Sequence, residues 1–75
     1  MAQGDIETYY EDGHWKNKRE GVDRAFGAGY GTKEEAVAAG QDAAKVAKVE
    51  HVIKNQDGRI GEKFSYGNDP RNVPG

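Results

Sequence analysis

The sequence predicts an α+β fold: an antiparallel sheet of four or five strands, in the order β-β-(β)-α-β-β, with one helix packed on one face. Three observations lead to it. Only one segment, Thr32 to Val49, has sustained helical periodicity. Two Asp-Gly pairs, Asp12-Gly13 and Asp57-Gly58, each stand between short runs of strand-forming residues. The inward stripe of the helix is made of very small residues, so it suits a sheet that supplies the bulk.

Ile6 to Tyr10 and His14 to Glu20 read as a hairpin, because a two-residue type I′ turn needs positive φ at both central positions and Asp-Gly tolerates it. With Asp12-Gly13 as the loop, Glu11 faces His14, Tyr10 faces Trp15, Tyr9 faces Lys16, Thr8 faces Asn17 and Glu7 faces Lys18. This register puts Ile6, Thr8, Tyr10 and Trp15 on a core face. Glu7, Tyr9, Glu11, His14, Lys16 and Lys18 fall on the other. From Val22 to Tyr30 apolar residues alternate, but Gly27, Gly29 and Gly31 weaken a strand. A short third strand around Arg24 to Phe26 is expected, then a glycine link into the helix. That link lacks the full G-x-G-x-x-G spacing and a P-loop lysine, so a plain linker is favoured over a phosphate cradle.

Thr32 and Glu35 form a T-x-x-E capping box, with the hydroxyl taking the Glu35 N–H and the carboxylate taking the Thr32 N–H. Glu34 and Glu35 in the first turn and Lys45 and Lys48 near the end suit the helix dipole. On a wheel, Ala36, Gly40, Ala43 and Ala47 share one stripe, flanked by Val37 and Ala44 on one side and Ala39 and Val46 on the other. Glu34, Gln41, Lys45 and Lys48 point away. The small stripe implies a close approach to the sheet, with Trp15 and Tyr10 as the bulk opposite. Glu50 to Asn55 and Arg59 to Phe64 read as a second hairpin around Gln56-Asp57-Gly58. Residues 1–64 form the domain, and 65–75 an extended or flexible tail rich in turn formers.

The ending Asp57-Gly58-Arg59-Ile60-Gly61-Glu62-Lys63-Phe64-Ser65-Tyr66-Gly67-Asn68-Asp69-Pro70 carries a resemblance. It resembles the signature of a small bacterial domain-of-unknown-function family. Asp12, Gly13 and Trp15 in the first hairpin match it, as do Thr32 and Ala36 in the helix; the departures lie mainly in Gly27 to Gly31. The resemblance covers most of the chain. It supports the boundaries and the fold and carries over no catalytic residue.

Composition narrows the function classes. At 75 residues the chain is one small domain, and a fold of this size buries about 60% of its unfolded surface. It has no cysteine, which leaves no disulfide or thiolate metal site. No run nears the roughly 18 apolar residues of a membrane span, and the N-terminus lacks the pattern of a secretory signal; a cytoplasmic protein with no membrane partner is expected. Net charge is −2 at pH 7, which argues against general binding to nucleic acid or anionic lipid. Residues 1–44 hold five basic and nine acidic side chains, and residues 45–75 hold six and four. Ordinary surface variation accounts for that imbalance more readily than a basic face.

No catalytic, cofactor-binding or metal-ligating set is found. His14 and His51 lie on separate hairpins without ligand spacing, and Ser65 is the only serine. An enzyme is not expected, nor is a cofactor. The candidate binding face is Tyr9, His14, Lys16 and Lys18, extended by Lys54, Arg59 and Lys63, because aromatic and basic groups on an open sheet can stack bases and hold phosphates. Glu7, Glu11 and Glu62 oppose that reading, and a solvated face is the plainer one. A second candidate is a docking tail, Ser65, Tyr66, Gly67, Asn68, Asp69 and Pro70, against a simple turn with Tyr66 on the sheet rim. The function expected is a non-enzymatic interaction module whose partner is another protein or a second copy of itself. The alternative is weak nucleic-acid binding through the open face.

Overall fold

The computed structural model describes residues 4–66. The chain runs through β1 (Ile6–Glu11), β2 (His14–Arg19), β3 (Ala25–Tyr30), α1 (Lys33–Ala47), β4 (Glu50–Lys54) and β5 (Ile60–Ser65). The fold class is the one expected: α+β, with one helix on a five-stranded sheet of order β3-β2-β1-β4-β5. The sheet is mostly antiparallel, with one parallel pair, β1 against β4, in the register Ile6↔His51, Glu7↔Val52 and Thr8↔Ile53. The two hairpin reversals leave β3 running in the direction of β1. α1 carries the chain back, so β4 sets out in that same direction again and, lying beside β1, pairs with it in parallel.

The first hairpin has every pairing expected from Asp12-Gly13, from Glu11↔His14 to Glu7↔Lys18. Asp12 has φ 53° and Gly13 φ 81°, as the type I′ turn requires. β3 is longer than the sequence suggests, and the glycine stretch is strand rather than linker. Phe26 pairs with Asn17 and Tyr30 with Trp15, so the register shifts between them. Gly27 takes φ 72° within this shift, a conformation that costs glycine little. The ladder to β2 outweighs the weak strand propensity.

α1 begins at the expected cap. The Glu35 N–H donates to Thr32 Oγ1 at 3.3 Å. The Glu35 carboxylate accepts from the Thr32 hydroxyl at 3.2 Å, rather than from the Thr32 N–H. The helix ends on Lys48 in the left-handed region, φ 59° and ψ 51°, whose N–H caps the carbonyls of Ala44 and Lys45. The buried stripe is Ala36, Gly40 and Ala44. It follows i, i+4 spacing, so Ala44 replaces Ala43 and Ala47 on the inner line, and Ala47 is exposed. α1 packs over β1, β2, β3 and β4, and not over β5. The apolar core comprises Ile6, Trp15, Ala36, Ala44, Val52 and Ile53.

Candidate functional site

The register assembles the candidate face. Tyr9 pairs with Lys16 and Glu7 with Lys18, and Glu7 and Lys63 flank Val52 from the two strands beside it. Alternation puts Lys54 and His14 on this same side, away from α1. The face is not uniformly open, since Glu7 and Val52 are buried in it. Its cations are largely spent on carboxylates. Lys54 Nζ meets Glu7 at 2.8 Å, Lys16 meets Glu11 at 3.2 Å, and Lys63 meets Glu50 at 3.5 Å. Arg59 stands in the β4–β5 turn beside Asp57 at 3.9 Å. Lys18 lies 5.3 Å from the centre of the Tyr9 ring. His14 is exposed, its Nδ1 3.2 Å from the Asp12 carbonyl.

The docking-tail residues divide. Ser65 closes β5 opposite Glu50, and the Tyr66 N–H extends the ladder to the Val49 carbonyl at 3.2 Å. The Tyr66 ring stacks on Phe64 at 6.5 Å between centroids, and its hydroxyl accepts from Gln41 at 3.0 Å. Gly67, Asn68, Asp69 and Pro70 lie outside the described residues.

Two features were not anticipated from the sequence. The first lies beneath Gly40. Thr8, Asn17 and His51 are buried there as a hydrogen-bonded trio. The Asn17 amide N–H donates to the Ala36 carbonyl at 3.0 Å, which orients the amide. Its oxygen then accepts from the Thr8 hydroxyl at 2.5 Å. Thr8 has no second proton, so the 2.6 Å contact to His51 Nε2 makes that nitrogen the donor. The neutral Nε2–H tautomer follows, with His51 Nδ1 buried and without a hydrogen-bond partner. Burial holds the His51 pKa below its ordinary 6.5, because a proton on Nδ1 would be a buried donor facing no acceptor. His14 and His51 sit on opposite faces of the sheet, so they cannot share a metal. The signal was present in the register: Thr8 opposite Asn17 is a polar pair on the core face.

The second feature is a groove of about 430 Å³ between α1 and β5, lined by Lys33, Glu34, Val37, Ala38, Gln41 and Glu62. It exists because the helix stops short of the outermost strand. All six β5 residues are exposed, including Ile60 at 58% and Phe64 at 43%. Among the described residues β5 is also a sheet edge, so its outer N–H and C=O groups have no described strand beside them.

Fold and surfaces together define a small α+β domain with a mixed sheet, one covering helix and a free edge. Residues 6–66 match the model of the DUF2188 family, uncharacterized proteins conserved in bacteria, and the chain belongs to that family. No curated protein and no solved structure matches it. Among the described residues no helix is long and apolar enough to cross a membrane.

Proposed function

We propose that this domain is a non-enzymatic interaction module that docks an extended segment on the outer edge of β5. The observation behind the reading is that β5 is exposed along its whole length, carries Ile60 and Phe64, and ends the sheet. Its register irregularity falls between Ile53 and Lys54, at one end of the strand, which leaves Glu62 to Ser65 regularly paired to β4. The other edge, β3, is irregular in its middle, the kind of distortion that blunts an edge. Strand addition uses backbone hydrogen bonds for affinity and alternate side-chain pockets for choice.

The reading is tested by light scattering from micromolar to millimolar protein, together with affinity capture by wild type and by Phe64→Asp. A mass that rises with concentration, or a partner lost on Phe64→Asp, is the expected result. A strict monomer whose captured proteins are the same with either bait overturns it. Nucleic-acid binding through Tyr9, Lys16 and Lys18 is the weaker reading, because the neighbouring cations already sit on carboxylates. Amide shifts on those residues with a single-stranded oligonucleotide, fading as salt rises, would revive it.

A further inference from the structure

We infer that the segment added to β5 carries a lysine or arginine on its helix-facing side, and that this cation lies between Glu34 and Glu62. The inference rests on the β5-edge reading and specifies its partner. Alternation along β5 places Glu62 and Phe64 on the side of α1, opposite Ile53 and His51. A strand laid along the free edge therefore sends every second side chain over the groove beside these two residues. The groove has an apolar wall of Val37 and Ala38 and two carboxylates, Glu34 and Glu62, neither paired to a cation among the described residues. Among the described residues the one cation lining it is engaged elsewhere: Lys33 Nζ donates to Asn55 at 3.1 Å and lies 5.7 Å from the centre of the Trp15 ring. The groove thus presents net negative charge above an apolar floor. A long basic side chain fits both, with its methylenes on Val37 and Ala38 and its head between the carboxylates.

The same geometry argues against a second copy of this chain as the occupant. An antiparallel two-fold pairing of β5 with itself keeps both helices on one side of the sheet. The helix-facing residues brought alongside Glu62 would then come from Glu62, Phe64 and Tyr66 of the other copy, none of them basic. Lys63 faces the opposite side, where it pairs with Glu50.

The test uses the full ¹⁵N-labelled chain and two blocked nine-residue peptides of alternating Thr and Val, one with Arg at the centre and one with Glu. With the Arg peptide, amide shifts are expected along Ile60 to Ser65 and at Val37, Ala38 and Gln41. The Glu peptide should bind at least tenfold more weakly, and Glu62→Lys should reverse the order. Equal binding of both peptides at β5 overturns the cation and leaves edge docking standing. Perturbation elsewhere, or none at all, overturns the inference and removes the peptide support for the edge. Shifts of the β5 amides with protein concentration alone identify a second copy as the occupant and overturn it too.

Discussion

Gly40 is where a single hydrogen atom decides how α1 meets the sheet. A Cβ there would stand 2.6 Å from Asn17 Oδ1, 2.7 Å from His51 Nε2 and 2.9 Å from Thr8 Oγ1. Each of those atoms is held by another, so none yields alone. In an open helix Gly→Ala gains about 1 kcal/mol of propensity. Here crowding should exceed that gain, and Gly40→Ala is expected to destabilise by roughly 1–3 kcal/mol in urea unfolding. His51 beneath it governs a pH response. Its pKa is lowered in the folded state, so the unfolded chain binds the proton more readily. This contribution is complete above the unfolded value of 6.5 and is lost as pH falls below it, at no more than about 1.4 kcal/mol per pH unit. His51→Leu keeps the Thr8–Asn17 bond and removes the orphaned Nδ1. It should leave stability at pH 7.5 within about 1 kcal/mol of wild type and flatten the pH 5–6.5 limb. An unchanged slope in the variant would mean that another group carries the titration.

At the scale of elements, the ends of α1 differ in quality. Thr32 is a good N-cap with its partner in place. Lys48 at the other end holds a left-handed conformation that costs a side-chain-bearing residue about 1–2 kcal/mol. Lys48→Gly should raise stability by about 0.5–1 kcal/mol without altering the fold, seen as a higher midpoint at unchanged m-value. β3 shows the opposite balance. Its glycines make it a poor strand in isolation, and the pairing to β2 recovers it.

The whole molecule has little reserve. At about 0.05–0.15 kcal/mol per residue, 75 residues hold on the order of 4–11 kcal/mol. Trp15 is the largest side chain of the core, with Tyr10 at 5.1 Å between ring centres and the Lys33 ammonium near its face. Trp15→Ala should cost about 3–5 kcal/mol and leave a chain largely or wholly unfolded at 37 °C by circular dichroism. A small loss would mean that the core rests mainly on Ile6, Val52 and Ile53.

Much of the fold was legible because its signals are local. Asp12-Gly13 specified a turn, the turn set the register, and the register sorted Ile6, Thr8 and Trp15 from Glu7, Tyr9 and Lys16. The capping box marked the start of α1, and its small stripe foretold a close approach. Contacts between distant residues were not legible. Nothing in the order of elements says that β4 lands beside β1, since that depends on where a helical crossover comes down. The gathering of Thr8, Asn17 and His51 under Gly40 follows from that landing, whereas the glycine stretch becomes an edge strand through its ladder to β2. The groove beside β5 also follows from that landing, because a helix centred on the inner strands leaves the last strand uncovered. The sequence by itself determined the elements, their turns and which residues share a face, through short-range sterics and the two-residue period of strands. Only the tertiary structure decided which strands became neighbours, because residues far apart in the chain are brought together by packing, and packing has no local signature.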